Sequence, residues 1–209
     1  MIRPPGFEGV VFGTAAWGDL RRDEQARADV SVALGLPSNW AYLNQVHGAV
    51  IRWVDRGGNH GDGDALATTQ ERLPLMVATA DCVPVAIEAD RAVALVHAGW
   101  RGAAAGVLPA AIAALRGRGL APQRAAIGPA IGPCCYEVGD DVASRFPDHV
   151  GKTTWGTTSV DLPGFLASQL AEIETWRSEQ CTFTSSMMYS WRRDHNEDRQ
   201  VTVAWLPRS

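Results

Sequence analysis

The sequence predicts an α+β fold, a single domain with a mixed β-sheet core and surrounding helices. The 209 residues include 46% hydrophobic residues, enough to bury a substantial core within the size of one domain. Short apolar runs are interspersed with helical patterns along the chain. Gly and Pro are scattered between these runs, and no repeat or linker appears. We therefore expect one domain over residues 1–209.

The predicted strands are short apolar runs, several of them continuous and so expected to be buried on both faces. They cover residues 9–12, 50–54, 75–78, 83–87, 92–96 and 201–205. Apolar periodicity with Gly or Pro at the ends predicts helices. These cover residues 22–34, 103–115, 138–146 and 162–179. A mixed sheet with helices packed around it follows.

Composition and charge favour small, diffusible partners. Lys and Arg number 19 against 23 Asp and Glu, a net charge of -4, so no global cationic field attracts nucleic acid or anionic lipid. The start of the chain lacks the apolar segment of a signal peptide, and no run approaches the roughly 20 apolar residues of a membrane span. The four cysteines are too few for a disulfide scaffold. We expect a cytoplasmic protein with reduced thiols and neither a nucleic-acid nor a membrane partner.

Three segments carry polar groups at the ends of apolar runs. Residues 44–48 read Asn-Gln-Val-His-Gly, residues 79–84 read Thr-Ala-Asp-Cys-Val-Pro, and residues 96–102 read Val-His-Ala-Gly-Trp-Arg-Gly. Strand ends at a sheet rim can present side chains to a cleft, so the three segments could converge on one site. Two imidazoles and a thiolate form a plausible zinc shell with a fourth position open for water or substrate. The candidate ligands are His47, Cys82 and His97.

Two other interpretations of these side chains stay open at this point. The histidines can be strand-end residues with ordinary hydrogen bonds and Cys82 a small buried hydrophobe, which is the usual burial behaviour of both residue types. Alternatively, Cys82 is a nucleophile with His47 or His97 as its base, the thiolate–imidazole arrangement of cysteine hydrolases.

Two further segments have unusual composition. Residues 128–137 read Gly-Pro-Ala-Ile-Gly-Pro-Cys-Cys-Tyr-Glu, and two Gly-Pro turns favour a rigid loop that packs Tyr136 and shapes a pocket wall. Residues 190–194 place Arg192 and Arg193 beside a strand, and Arg101 follows His97 by four positions. Arginine forks suit phosphate or carboxylate, although such clusters are more often solvated or ion-paired.

Together these segments resemble the laccase-domain family, which is YfiH-like and also called peptidoglycan editing factor. The family motifs are Gln-Val-His-Gly, Thr-Ala-Asp-Cys-x-Pro, His-Ala-Gly-Trp-Arg-Gly and Ile-Gly-Pro-x-Ile-Gly-Pro-Cys-Cys-Tyr-Glu, and they occur here in that order. Further similarity runs through residues 63–66, 181–182 and 190–194, so the resemblance covers nearly the whole chain.

The resemblance implies one zinc ion held by His47, Cys82 and His97 in an α+β domain. It also implies a purine nucleoside phosphorylase for adenosine, inosine, guanosine and methylthioadenosine, with adenosine deaminase activity from the same site. Nucleoside and phosphate are then the partners. Older descriptions call the family copper-dependent polyphenol oxidases, and a cysteine hydrolase linked to peptidoglycan editing is a further alternative. Copper could replace zinc, but the five histidines lack the close pairing of a coupled copper cluster, so the sequence predicts one metal site.

The candidate roles follow from the chemistry of each reaction. Deamination requires a hydroxide, which zinc supplies by lowering the pKa of bound water to about 7, and a proton shuttle. Phosphorolysis requires a cationic group for phosphate and hydrogen-bond donors for the leaving purine. We expect catalytic roles for Cys82, Asp81 (the shuttle) and Arg101, and substrate-binding roles for Gln45, Trp100 and Arg192.

One departure from the family pattern concerns phosphate binding. Family members usually carry Thr-Arg-x-Gly-Gly-Val-Ser near the start, whereas this chain has Ala15 at the position of the arginine. If that arginine binds phosphate or the substrate rim, then Arg21, Arg22, Arg101 or a neighbouring segment must compensate, or the substrate range has shifted.

Overall fold

Two β-sheets face each other, and helices cover their outer faces, in the computed structural model, which describes residues 1–208. The predicted α+β fold with mixed sheets is confirmed. The described residues form thirteen strands: β1 (Val10–Phe12), β2 (Ala41–Asn44), β3 (Ile51–Trp53), β4 (Gly58–Asp62), β5 (Ala65–Thr68), β6 (Leu75–Thr79), β7 (Val83–Ala89), β8 (Ala92–Ala98), β9 (Pro122–Ile127), β10 (Val150–Lys152), β11 (Thr158–Val160), β12 (Glu174–Arg177) and β13 (Gln200–Ala204).

The strands form two large sheets and one small hairpin. The five-stranded sheet has the order β1-β13-β6-β2-β4, and the six-stranded sheet has the order β12-β9-β7-β8-β5-β3. Strands β10 and β11 pair separately. The helices are α1 (Glu24–Leu34), α2 (Trp100–Ala104), α3 (Val107–Arg116), α4 (Asp140–Ala143), α5 (Leu162–Ser168) and α6 (Trp191–Asp194), with 3-10 turns at Ala15–Trp17 and Pro147–His149.

The core is divided into layers by the alternation of side chains along each strand. In β8, Val93 and Leu95 belong to the cluster between the two sheets, while Ala94 and Val96 belong to the cluster under α3 and α5. A third cluster packs α1 against the outer face of the five-stranded sheet. Because both faces of β8 are covered, the strand is continuously apolar, as expected of a central strand.

Two predicted helices are wrong in extent. The helix predicted over 103–115 begins earlier, at Trp100, and is interrupted at Gly106, whose φ of 82° is left-handed and cannot continue an α-helix. The helix predicted over 162–179 ends at Ser168, and Glu174–Arg177 instead pairs in parallel with β9. Sheet pairing there overrides the helical pattern.

The other predicted elements have approximately the right positions. The helix predicted over 138–146 is confined to Asp140–Ala143, and the six predicted strands are present with ends shifted by one or two residues. The strands that were not predicted are short or rich in Ala, Gly and Asn. No helix among residues 1–208 has both the length and the apolar character that crossing a membrane requires.

The two sheets meet at the edge where the polar segments lie. Strand β2 ends just before Gln45, the chain passes from β6 to β7 through residues 80–82, and His97 lies near the end of β8 opposite Pro84 of β7. The five-stranded sheet thus contributes one segment and the six-stranded sheet another, while the β6–β7 turn joins the two.

Candidate metal centre and active-site cavity

The three predicted metal ligands converge. The ligand atoms of His47, Cys82 and His97 all lie within 4.8 Å of one another. The Cys82 sulfur is 3.8 Å from His47 Nε2, and the two imidazole rings meet edge to face with centroids 4.8 Å apart. Two nitrogens and one sulfur at this spacing suit zinc, and three protein ligands leave one coordination position open.

Asp64 orients this cluster, and its role was missed at the level of sequence. The carboxylate is completely buried and accepts a hydrogen bond of 2.8 Å from His97 Nδ1, which leaves Nε2 of that ring for a metal. It also accepts from the backbone N–H groups of His47 at 2.9 Å and Gly48 at 2.6 Å. One carboxylate therefore fixes both histidine ligands.

The pKa values of the cluster depend on the interactions of its side chains with one another and with Asp64. Burial alone would raise the pKa of Cys82, but the His97 charge and hydrogen bonds from both histidines lower it to about 6. Burial alone would lower the pKa of His97, but the Cys82 thiolate and Asp64 raise it to about 9. The metal-free cluster is thus a thiolate–imidazolium pair at neutral pH.

Backbone geometry brings the ligands together. A Cβ atom on Gly99 would lie 2.6 Å from His47 Cδ2 and 3.1 Å from the Cys82 sulfur, so only glycine fits there. His47 and Asp81 both have positive φ, 59° and 85°, an uncommon conformation for residues other than glycine. Such strained residues cluster at functional sites, where the surrounding structure enforces them.

The cluster lies on the wall of a cavity of about 670 Å³, which is the size of a small-molecule site. Trp100, Tyr136 and Trp191 supply aromatic surface to this cavity. Its guanidinium groups belong to Arg21, Arg101, Arg192 and Arg199. The cavity therefore combines aromatic surfaces with an excess of positive charge.

Of the four cavity arginines, Arg101 is the one best placed to bind an anion. It stacks on the ring of the neighbouring Trp100 at 4.4 Å, and no described carboxylate is within ion-pair distance. Arg192 instead donates a hydrogen bond to the Glu137 carbonyl and lies over the Tyr136 ring. Its guanidinium is thus used partly to hold the loop wall in place.

The segment that follows Ala15 also supplies an arginine to the cavity. Arg21 lines the cavity and pairs with Asp19, whereas Arg22 points to Glu197 and does not line it. Of the arginines considered for the missing family position, Arg21 and Arg101 reach the cavity. Arg199, which the sequence did not single out, reaches it as well.

Two predicted site residues use their polar groups within the protein. The Gln45 amide donates to the Ala78 carbonyl and accepts from the Ala78 N–H, both at 2.8 Å, so it joins β2 to β6. Asp81 accepts 2.6 Å and 2.7 Å hydrogen bonds from the Thr182 hydroxyl and the Arg192 N–H. Both residues line the cavity, but neither has its hydrogen-bonding groups free.

Comparison with known proteins assigns the chain to a family. The family model described as multi-copper polyphenol oxidoreductase laccase matches residues 6–207. The chain belongs to this family. The resemblance predicted from the motifs is therefore confirmed.

Several relatives are named purine nucleoside phosphorylases. A purine nucleoside phosphorylase of Streptomyces griseus is 38% identical, with 96% of this chain and 90% of the relative covered. One from Mycobacterium tuberculosis is 35% identical, with 98% and 89% covered. The crystal structure of YlmD from Geobacillus stearothermophilus matches with a TM-score of 0.86 at 28% identity, covering 100% and 98% of the two chains. A Neisseria meningitidis protein assigned to DUF152 matches with a TM-score of 0.80 at 27% identity, covering 99% of each chain.

Proposed function

We propose that this protein is a zinc-dependent purine nucleoside phosphorylase. Its substrates are adenosine, inosine, guanosine and methylthioadenosine, and the same site deaminates adenosine. The single observation that carries the proposal is the open three-ligand cluster on the wall of a cavity large enough for a nucleoside. Phosphorylase relatives that share more than a third of their residues with this chain over nearly its whole length support it.

The donor set fits zinc, since the two histidines and the cysteine present two nitrogens and a sulfur. His47, Cys82 and His97 would hold the ion, and Asp64 would fix the tautomer of His97. When bound, zinc supplies a Lewis acid and lowers the pKa of coordinated water. Copper would bind the same donors under the Irving–Williams order, which accounts for the oxidase description without a coupled copper cluster.

Side chains that line the cavity bind and orient the nucleoside and the phosphate. Arg101, stacked on Trp100 and without a carboxylate partner, is placed to bind phosphate, and Arg21 and Arg199 add positive charge to the same cavity. Burial, together with the Cys82 charge, raises the pKa of Tyr136 to about 12, so its hydroxyl stays protonated and can donate a hydrogen bond to the purine. Trp100 and Trp191 offer aromatic surface to the base.

Asp81 and Gln45 act differently from the sequence-based expectation in this proposal. The Asp81 carboxylate positions the Cys82 loop through Thr182 and the Arg192 amide, and serves as a proton shuttle only if one of these hydrogen bonds is exchanged for substrate. Gln45 shapes the cavity wall through Ala78 and contacts the nucleoside with its outer edge. Arg192 also lines the cavity and binds substrate there in this proposal.

A cysteine hydrolase is the second candidate function, and one observation favours it. Cys82 with a pKa of about 6 beside a protonated His97 is the thiolate–imidazolium pair that such enzymes use. Without metal, that pair is the nucleophile and base of an acyl-transfer reaction. Metal dependence therefore discriminates between the two functions.

The test is a nucleoside panel assayed with and without phosphate, with free base, ammonia and zinc content measured. We expect phosphate-dependent release of base, phosphate-independent release of ammonia from adenosine, and loss of both after chelation. A matched control is His60→Ala, because His60 is a histidine outside the cluster that contacts only the Arg56 carbonyl. Amidase activity in metal-free protein, without base release, would instead identify the hydrolase.

A further inference from the structure

A second group of metal-binding side chains lies outside the active-site cluster. Cys134 and Cys135 follow the second Gly-Pro turn, and an isolated bridge between Ala130 and Cys181 brings a third cysteine beside them. The three sulfur atoms lie within 4.8 Å of one another, with those of Cys134 and Cys135 2.9 Å apart. The sequence indicated one metal site, because 45 residues lie between Cys135 and Cys181 and no local pattern shows that these cysteines meet.

The Cys181 sulfur occupies a nest of backbone amides. The Gly132 N–H donates to it at 3.2 Å, and the amides of Thr184 and Phe183 also point to it. Although burial alone would raise the pKa of this thiol, these donors and the Cys134 thiol lower it. Amide hydrogen bonds to sulfur favour the thiolate, which is the form that binds metals.

The donor chemistry of the group is uniform. No histidine or carboxylate joins it among the described residues, and none of its sulfurs lines the active-site cavity. Thiolate donors select soft cations such as Cu⁺ and Zn²⁺. A tetrahedral metal about 2.3 Å from each sulfur places the sulfurs about 3.8 Å apart, so the Cys134 and Cys135 sulfurs, now 2.9 Å apart, must separate by about 0.9 Å to hold it. Cys134 and Cys181 are partly exposed and give an ion access.

We propose that Cys134, Cys135 and Cys181 form a second metal site that takes a thiophilic d¹⁰ cation, Zn²⁺ or Cu⁺. Each thiol releases its proton to solvent when the cation binds. A disulfide between Cys134 and Cys135 is disfavoured, because adjacent residues close a strained ring. The inference does not depend on the proposed function, since it concerns residues outside the cavity.

The experiment uses the full-length Cys82→Ser protein, which lacks the thiolate of the first cluster. Metal-depleted, reduced protein is dialysed against Zn²⁺ or, in a second arm, titrated with Cu⁺ from a chromogenic chelator. We expect about one equivalent of bound metal in at least one arm, with a coordination shell dominated by sulfur in X-ray absorption. Adding Cys134→Ser or Cys181→Ser should remove that equivalent. Thr184→Ser, which keeps the hydroxyl that donates to the Cys181 carbonyl, is a control that should retain it.

The results separate clearly. Uptake in the zinc arm or the copper arm supports the site and identifies its cation. Absence of metal in both arms, with a folded protein by circular dichroism, overturns the proposal, as does uptake that survives Cys134→Ser and Cys181→Ser. A mass loss of about two hydrogens in untreated protein, with the bond mapped to these cysteines, would show a disulfide instead.

Discussion

The two clusters of metal-binding side chains differ in donors, support and surroundings. The first combines two imidazoles with one thiol, is oriented by the buried Asp64 carboxylate, and opens on the cavity. The second has sulfur alone, is supported by backbone amides, and has no sulfur on the cavity wall. A cluster that can bind a metal becomes catalytic only where substrate space adjoins its open position. By this criterion our proposal assigns catalysis to the first cluster and not to the second.

The clusters are nevertheless close neighbours in space. Thr182, next to Cys181, donates its hydroxyl hydrogen to Asp81, next to Cys82, at 2.6 Å. This buried contact joins the loop that holds the second cluster to the turn that holds the first. Substitutions in the side chains of one cluster test the comparison, and the other cluster then serves as an internal reference.

The largest expected effect comes from the ligands of the first cluster. Replacing His47, Cys82 or His97 by Ala should abolish phosphorolysis and remove the zinc of that cluster, because two remaining ligands hold the ion weakly. Cys181→Ser, which changes a ligand of the second cluster only, should leave turnover close to wild type. Elemental analysis and base release measure the two outcomes. Full activity in Cys82→Ala would remove this cluster from the mechanism.

The next effect concerns the support of the first cluster. Asp64→Asn should weaken zinc affinity about 10- to 100-fold, because an amide orients the His97 ring less well than a carboxylate does. The carboxylate has two acceptor oxygens and a negative charge, whereas the amide has one neutral acceptor oxygen. Asp62→Asn is the matched control, since that exposed side chain accepts only from Asn44. Chelator competition measures the affinity. Equal affinities in both variants would show that Asp64 stabilises the fold without tuning the metal.

A selective effect on phosphate is expected at Arg101. Arg101→Ala should raise the phosphate KM and lower phosphorolysis roughly tenfold to a hundredfold, since a charge-assisted hydrogen bond contributes about 1.5–3 kcal/mol. Zinc content and adenosine deamination should change less. Arg118→Ala is the control, because Arg118 stacks on Trp53 in the same manner but outside the cavity. Equal loss of both reactions with a lower Tm would assign Arg101 a structural role.

Thiol reactivity should distinguish Cys82 of the first cluster from Cys134 and Cys135 of the second. With a pKa of about 6, Cys82 is about 90% thiolate at pH 7, whereas burial raises the pKa of Cys134 and Cys135. In metal-free protein, Cys82 should react with iodoacetamide at pH 7 and lose its reactivity as the pH falls below about 6. Cys134 and Cys135 should react only in alkali. Peptide mass mapping after labelling measures this, and uniform labelling at pH 7 would contradict it.

The sequence predicts the three candidate ligands, which the structure brings together, but it does not predict the residue that supports them. His47, Cys82 and His97 were identifiable because they lie in motifs at strand ends, and strands deliver side chains to a common sheet edge. Asp64 lies within residues 63–66, for which the sequence shows only a similarity to the family. An Asp in a Gly-Asp-Gly-Asp segment is typical of a turn, so the sequence does not predict its burial. Its role depends on the pairing of β5 with β8, which no local pattern encodes.

Secondary structure was predicted correctly where the apolar periodicity was strong. The prediction failed where pairing with a strand distant in sequence determined the structure. Residues 174–177 continue an apolar pattern that fits a helix, but the open edge of β9 recruits them as a strand. Gln45 is predicted to bind substrate as a hydrogen-bond donor to the leaving purine, although its amide completes the pairing between β2 and β6. In both cases a backbone partner distant in sequence determined the outcome.

Reconstitution of metal-depleted protein tests the central claim most directly. Zinc is added in steps, and phosphate-dependent release of hypoxanthine from inosine is followed in wild type and in Cys181→Ser. Activity should rise with zinc and reach its maximum at about one equivalent in Cys181→Ser, where only the first cluster can bind. Chelation should reverse the gain. Full phosphorolysis in the metal-depleted protein, unchanged by zinc, would contradict the assignment of the first cluster as the catalytic centre.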